Sequence, residues 1–425
     1  MSVVVPKFFR GQLVGNALSL YAVQGLNYLM PLLMLPFLLR VLSPQGYGSI
    51  MFAQSLVGYA GIFTDFGFNL TAARDISVAR NDSQLVAKVY WTTMAAKAFL
   101  LLISGLVVGI VVLATPTFRQ NWPIFAASGL IVVGNVAFPQ WYFQGLERLK
   151  DVALIQAITK CLVTASAIVL VRSPQDVLIA ALILSSPQLL GSVVGLCVGK
   201  PLAPAQFYRP SIGDITLALR GSWHMFAAGA STSLYLYTNT FVLGLMCGEK
   251  EVGFYSLGTR IVGFVQSLAV PVTQAVFPRA SLLFAGRREQ VWPLLLRVAW
   301  LLLPMLVLAA LLLGAFAPTV VNVLGGPSYA GASSVLRILA IAPLLVTVAT
   351  ILAQIVMVNV GLTAQLSRIY AAVGILNLLL LPALISGYAA NGAAWSLVFA
   401  ETLGPILMLR TLRKHRNRLD LPQTP

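Results

Sequence analysis

Residues 88–114, KVYWTTMAAKAFLLLISGLVVGIVVLA, decide the fold class of this 425-residue chain. The stretch is apolar for longer than the about 20 residues that an α-helix needs to cross the hydrocarbon core of a bilayer. Apart from Lys88 at its start, it carries a single charged residue, Lys97, which lies well inside the run. Because a helix satisfies its own backbone hydrogen bonds, such a run is typical of a membrane-spanning helix.

The composition extends this interpretation to the whole chain. Hydrophobic residues make up 58% of the sequence, charged residues 9%, and the mean hydropathy is +0.87. An ordinary soluble domain carries about 25% charged residues, which it needs to cover its surface. So few charges indicate that lipid, and not water, surrounds most of this protein.

The same length criterion predicts an all-α polytopic membrane protein of about twelve transmembrane helices. The predicted spans are 12–40, 47–72, 88–114, 122–145, 152–171, 177–198, 217–246, 252–280, 291–315, 332–358, 363–386 and 388–410. The connections between them are short, so the sequence predicts that the protein acts within the membrane and not through a separate soluble domain.

The net charge of +16 predicts the orientation in the membrane. Most Lys and Arg residues lie in alternate loops and in the C-terminal tail, whereas the other loops hold Arg119, Arg172 and Lys250. Such a bias is typical of cytoplasmic loops and predicts a multi-pass protein of the bacterial inner membrane with both termini cytoplasmic. The basic residues flank apolar runs and form no stripe on a soluble face, which argues against nucleic-acid binding.

The chain contains a weak internal repeat. GYGSIMFAQSLVGY (46–59) aligns with EVGFYSLGTRIVGF (251–264), so that Gly48 falls on Gly253. Each stretch opens the second span of a predicted six-span half. We therefore expect two six-helix lobes, 1–210 and 211–425, with a substrate path where such halves meet.

Four further segments carry a family resemblance. They are PLLMLPFLLRVLSPQGYGSIMFAQSL (31–56), DFGFNLTAARDISVARND (65–82), PQWYFQGLERLKD (139–151) and NGAAWSLVFAETL (391–403). In this order the chain resembles the polysaccharide-export flippases, the O-antigen flippase-like branch of the multidrug/oligosaccharidyl-lipid/polysaccharide superfamily. The second segment is similar to the first cytoplasmic loop of that family.

The resemblance implies two six-helix lobes around a central cavity. It also implies a cargo, an undecaprenyl-diphosphate-linked oligosaccharide such as an O-antigen or exopolysaccharide repeat unit. Alternating access would move this cargo from the cytoplasmic to the outer leaflet. The partners that follow are the lipid-linked oligosaccharide, membrane lipids, a polysaccharide polymerase and glycosyltransferases.

Five cations are predicted at membrane depth, where charges are costly and usually face a cavity or a partner. They are Lys97, Lys160, Arg260, Arg337 and Arg40. A cationic interior suits an anion such as a diphosphate, which Arg binds bidentately and Lys binds as a point charge. The alternatives are that all of these except Arg260 reach towards the interface, and that Arg260 forms a structural bridge to Glu401.

Two carboxylates, Glu401 and Asp65, oppose these cations. Either could bind the coupling ion, H⁺ or Na⁺, and the residue types do not choose between the two ions. Asp65 has a second, structural interpretation, a local ion pair with Arg74. The aromatic residues Trp141–Phe143 are expected in an interfacial belt.

Two other function classes were weighed against the flippase. A multidrug cation antiporter of the same superfamily would need acidic residues in its cavity, whereas this interior is basic. An integral-membrane polymerase or glycosyltransferase usually needs a large loop with convergent acids or histidines, and the chain has two histidines, His224 and His415. We therefore predict a transporter that is not an enzyme and uses no cofactor or resident metal.

Overall fold

The computed structural model of the chain describes residue 30 and residues 33–286 and 288–415. Most of the predicted first span, 12–40, and the tail after His415 lie outside these residues. Within them the chain forms helices and no strands. The chain divides into two compact units.

The first unit comprises Leu56–Ala230 together with residues up to Leu42. Its helices are 33–41 (α1), the second half of Pro44–Asp65 (α2), Phe68–Ala79 (α3), Ser83–Ala114 (α4), Pro116–Gln120 (α5), Trp122–Ala137 (α6), Gln140–Gly145 (α7), Leu149–Leu170 (α8), Val177–Ser185 (α9), Pro187–Cys197 (α10) and the start of Ile212–Cys247 (α11).

The second unit comprises Ser43–Ser55 and the chain from Ser231. It contains the first half of α2, the rest of α11, Glu249–Ser267 (α12), Val270–Gly286 (α13), Val291–Ala315 (α14), Ala317–Gly325 (α15), Ala332–Leu339 (α16), Ala342–Thr350 (α17) and Thr363–Lys414 (α18). A π-helical segment, Ile351–Met357, continues α17. Both α2 and α11 therefore contribute residues to each unit. The predicted lobe boundary at residue 210 stays a prediction.

Six helices in the described part of the chain are long and apolar enough to cross a membrane. They are Ser83–Ala114, Trp122–Gly145, Leu149–Leu170, Val291–Ala315, Ala332–Met357 and Thr363–Lys414. Two bent pairs, Val177–Ser185 with Pro187–Cys197 and Glu249–Ser267 with Val270–Gly286, raise this number to eight if each pair is one span. The total of twelve spans stays a prediction.

Helix α4 contains the predicted span 88–114 and begins earlier, at Ser83. The reason is a side-chain cap, because one carboxylate oxygen of Asp82 accepts hydrogen bonds from the backbone N–H groups of Gln84 and Leu85 at 3.0 and 3.1 Å. Such a cap satisfies donors that the first helical turn leaves unpaired. The helix ends at Ala114, two residues before Pro116.

The predicted span 47–72 is interrupted, and the predicted cytoplasmic loop after it is largely helical. The chain breaks at Phe66 and Gly67, whose φ angles are 46° and 78°. Position 67 requires a glycine for two reasons. Its φ is positive, and a Cβ there would lie 2.8 Å from the Cβ of Met225. Phe66 stacks on Phe226 with ring centroids 4.4 Å apart, which holds the break in place. Helix α3 follows within the segment predicted as a loop.

Helix α18 is two helices joined at Ala389. This residue has φ 47° and ψ −126°, values outside the helical region. The predicted spans 363–386 and 388–410 each correspond to one of these two helices. Across the joint, the Ser396 hydroxyl donates a hydrogen bond to the side-chain oxygen of Asn377.

The aromatic segment Trp141–Phe143 does not form an interfacial belt, so that prediction is wrong. It lies in the short helix α7, where the three side chains are between 0 and 5% exposed. Tyr90 of α4 packs on Trp141 with ring centroids 5.5 Å apart. These aromatic residues instead build the hydrophobic core of the first unit.

Candidate functional site

An ion pair within the first unit connects two of the predicted site residues, Lys97 and Asp65. The Lys97 Nζ atom donates a hydrogen bond to Asp65 Oδ1 at 3.0 Å. The Lys97 side chain is 3% exposed and that of Asp65 is 34% exposed. Asp65 stands at the end of α2, and its predicted pairing with Arg74 is wrong because Arg74 pairs with Asp75 at 2.9 Å.

Lys97 and Asp65 line a cavity of about 210 Å³. The other polar side chains around it are uncharged, and they come from α2, α3, α6, α7 and α10: Thr64, Asn69, Asn135, Gln140 and Gln188. Amide side chains both donate and accept hydrogen bonds. The cavity thus combines one cation, one carboxylate and several amides, a set that can hold an anionic group attached to hydroxyl-rich sugars.

These amide residues are not among the site residues predicted from the sequence. Asn135 and Gln188 each stand in a run that is otherwise apolar or small, so an isolated amide within a predicted span is the signal that could have found them. Polar side chains within transmembrane helices tend to face a cavity or another helix and not lipid.

Arg260 belongs to the second unit and is not among the residues that line this cavity. It stands in α12 with an exposed side chain, and its Nη2 atom lies 3.9 Å from the sulfur of Met51. The guanidinium is also close enough to the buried Tyr47 hydroxyl to act on it electrostatically. No ion pair joins Arg260 to Glu401 among the described residues.

The other three predicted cations do not line the Lys97 cavity. Arg40 is exposed near the end of α1, Lys160 is half-buried in α8, and Arg337 is exposed in the last turn of α16. Their predicted contact with substrate stays a prediction.

Glu401 lies in the second unit, half-buried in α18. Its charge acts on the hydroxyls of Tyr255 and Tyr370. Glu401 thus belongs to a different unit from Asp65, the other carboxylate predicted for ion coupling.

The second unit also contains a series of buried polar side chains that are joined by hydrogen bonds. Asn377 Nδ2 donates to Asn239 Oδ1 at 2.9 Å, and Asn239 Nδ2 donates to the Tyr255 hydroxyl at 3.4 Å. The Ser396 hydroxyl extends this series by donating a hydrogen bond to Asn377 Oδ1. Asn377 stands alone in the otherwise apolar run GILNLLLL, an isolated amide of the same kind as Asn135.

Comparison with known proteins places the chain among membrane transporters. Residues 13–284 match the model of a family described as Polysaccharide biosynthesis protein. A protein of Escherichia coli (strain K12) named "Putative O-antigen transporter" is 30% identical over 412 residues, which cover 94% of this chain and 97% of that protein. A protein of Shigella dysenteriae with the same name is 27% identical over 398 residues, which cover 94% and 99%.

Two solved structures show the same fold. The lipid II flippase MurJ in an inward closed conformation has a TM-score of 0.68 at 12% identity, covering 93% of this chain and 87% of that chain. An inward-facing multidrug resistance transporter of the MATE family, in the MOP superfamily, has a TM-score of 0.67 at 14% identity, covering 92% and 94%. The chain is therefore an all-α polytopic membrane protein with the fold of these transporters.

Proposed function

Because the chain belongs to the polysaccharide biosynthesis protein family, we propose that it is a flippase for a lipid-linked oligosaccharide. Its cargo is a polysaccharide repeat unit on undecaprenyl diphosphate, which it moves from the cytoplasmic to the outer leaflet of the bacterial inner membrane. The observation that carries this proposal is the buried cation Lys97 in a cavity lined with amide side chains. The O-antigen transporter names of the relatives support the same substrate class.

The composition of the cavity matches the two parts of such a cargo. A diphosphate is an anion that a lysine ammonium binds as a mobile point charge. Sugar hydroxyls need donors and acceptors together, which Asn69, Asn135, Gln140 and Gln188 supply. Lys97 and Asp65 balance each other's charge, so the amide lining and the names of the relatives, and not the charge of the cavity, favour a glycan cargo over the cationic drug of the antiporter alternative.

Asp65 gives the site a means of releasing its ligand. Lys97 is paired with Asp65 at 3.0 Å, so the charge of the ammonium group is compensated within the protein. A diphosphate that enters competes with Asp65 for the same ammonium group, and its departure restores the original pair. Binding therefore exchanges one partner of the buried ammonium for another, and the released Asp65 carboxylate is one-third exposed to solvent, which lowers the cost of leaving it without a cation.

A substrate alone shifts the equilibrium between the inward-open and outward-open states only by the difference between its affinities for them. Directional transport therefore requires an energy source in addition to binding. We assign this role to an H⁺ or Na⁺ gradient acting through a carboxylate, Glu401 or Asp65. No bond of the cargo is made or broken, so the activity needs no catalytic residue or cofactor. The glycosyltransferases act before this step, and the polymerase acts after it.

A complementation experiment tests the proposal. The chain is expressed with its glycan genes in a bacterium whose own flippase gene is deleted, and surface glycan and lipid-linked intermediates are both measured. We expect Lys97→Ala to abolish surface glycan while lipid-linked intermediates accumulate, and Lys97→Arg to retain part of the activity. Arg119→Ala, at an exposed residue outside the cavity, is the matched control. Normal export by Lys97→Ala, or efflux of cationic dyes by the native chain, would contradict the proposal.

A further inference from the structure

An apolar groove of about 390 Å³ runs along α2, α4 and α6 in the first unit. Its walls include Ala60 of α2, Gly109 of α4 and Gly129 of α6. Along α4 the groove extends from Leu101 to Leu113, which corresponds to about 18 Å at the rise of an α-helix. A groove of this length and character suits an extended apolar chain.

The groove adjoins the Lys97 cavity. Ala60 lines the groove and the next residue, Gly61, lines the cavity. The two spaces meet at a hydrogen bond of 3.1 Å between the hydroxyls of Thr64, in the cavity wall, and Ser104, in the groove wall. The groove therefore starts about one helical turn from a buried ammonium group, as a ligand with an anionic head and an apolar tail requires.

Among the residues that the structure describes, no side chain fills the space beside three groove glycines. A Cβ atom added at Gly105, Gly109 or Gly129 would meet nothing within 4 Å. The groove is open to the surface, since Leu113 and Trp122 in its wall are 64% and 56% exposed, and an apolar groove of this kind favours an apolar occupant. The missing side chains also give lateral room, which the methyl branches of an isoprenoid chain need and a straight acyl chain does not.

We propose that this groove binds the isoprenoid chain of the lipid-linked cargo while the diphosphate of the same molecule lies at Lys97. This inference rests on the proposed function, since it concerns the same substrate. It adds a second binding element, which recognises the lipid carrier and not the glycan. The tail is then held by the protein at the site where the headgroup binds.

Binding measurements on the purified full-length protein in detergent test the inference. The probes are undecaprenyl diphosphate and geranyl diphosphate, which share a headgroup and differ in chain length. We expect the native protein to bind the long chain at least about tenfold more tightly. Phosphatidylglycerol serves as the competing lipid, and we expect it to displace undecaprenyl diphosphate only weakly.

A filled groove should remove the preference for the long chain. The variant combines Gly105→Leu with Gly109→Leu, which the open space accommodates and which replaces helix-disfavouring glycines. We expect it to bind both isoprenyl diphosphates with equal, weak affinity, while Lys97→Ala weakens both. Gly314→Leu in α14, another glycine with open space around it, is the matched control and should retain the preference. Thermal unfolding of each variant verifies that it is folded.

The outcomes separate this inference from the proposed function. Any one of three results would overturn the groove assignment alone. The native protein could bind the two chain lengths equally, the double variant could keep the full preference for the long chain, or phosphatidylglycerol could compete equally well. If the native protein binds neither isoprenyl diphosphate, the proposed function fails and the groove assignment fails with it.

Discussion

Within the second unit, Gly48 of α2 packs against Glu249, the first residue of α12, and Gly253 of α12 packs against Pro44, the first residue of α2. A Cβ on Gly48 would overlap the carbonyl oxygen of Glu249, and a Cβ on Gly253 would overlap the carbonyl oxygen of Pro44. In the alignment of the internal repeat, Gly48 corresponds to Gly253 and Pro44 corresponds to Glu249. The contact is thus reciprocal between equivalent residues, as expected for a local two-fold relationship between α2 and α12.

This contact predicts that either glycine is intolerant of a side chain. Gly48→Ala or Gly253→Ala forces a methyl group into backbone atoms, which cannot rotate away as a side chain can. We expect a loss of stability of about 1–3 kcal/mol or more, measured by thermal unfolding of the purified protein. Gly263→Ala, in the same repeat but with open space around it, should leave the unfolding temperature unchanged or slightly raised.

The unequal exposure of Lys97 and Asp65 predicts unequal costs of removing them. Asp65→Ala leaves a buried ammonium unpaired, and we expect a loss of about 3–5 kcal/mol that lowers the yield of folded protein. Lys97→Ala leaves a carboxylate that is one-third exposed to solvent, so the yield should stay closer to normal. The double variant should recover the yield lost in Asp65→Ala, as expected for a coupled pair, but not the transport.

Arg74→Ala is the control for this pair. Arg74 forms an exposed ion pair with Asp75, and such pairs contribute about 0–1 kcal/mol. We expect normal yield and normal stability for this variant. Equal losses of yield for Asp65→Ala and Lys97→Ala would contradict the assignment of Lys97 as the less solvated partner.

The coupling role can be tested by removing each carboxylate charge without changing its size. A carboxylate that carries the coupling ion must change its charge or release a cation, so Glu401→Gln or Asp65→Asn should block gradient-driven translocation in a protein that still binds substrate. Asp65→Asn should bind substrate more tightly, since the competitor for Lys97 is removed. The measurement is translocation into proteoliposomes under an imposed H⁺ or Na⁺ gradient, with binding scored separately. If both variants still translocate at the native rate under a gradient, neither carboxylate is the coupling residue.

The environment of Asp214 predicts a pH-dependent contribution to stability. Asp214 lies in the first turn of α11, ahead of the predicted span 217–246. The hydroxyl and backbone N–H of Ser211 donate to it at 2.7 and 3.0 Å, and Lys88 and Tyr208 also contact it. These donors hold the pKa of the Asp214 carboxyl well below its usual range, the Ser211 hydroxyl contributing most.

Because the folded-state pKa of Asp214 is depressed, its contribution to stability is present above the usual carboxyl pKa of about 3.9 and is lost as the pH falls below that value. Thermal unfolding between neutral pH and pH 3 measures this loss. We expect Asp214→Asn to be less stable than the native protein at neutral pH and to lose less stability on acidification. An unchanged pH profile in Asp214→Asn would show that these hydrogen bonds do not contribute.

The sequence by itself determined the class of the protein and the position of most helices. The predicted span 291–315 has the same bounds as α14, and the predicted span 332–358 ends one residue after the helical segment that ends at Met357. This accuracy has a physical basis, because lipid leaves the backbone no other hydrogen-bonding partner than its own helix. Long apolar runs therefore translate directly into helices.

Only the tertiary structure decided which polar residues meet. Asp65 was expected to pair with Arg74, which is near in sequence, but the break at Phe66 and Gly67 separates them and Lys97 of α4 takes the place of Arg74. In the same way, Asn377 bonds to Asn239 from a distant helix. Hydropathy specifies that a residue lies within a helix, whereas partner choice depends on the rotation and packing of neighbouring helices, which no local pattern encodes.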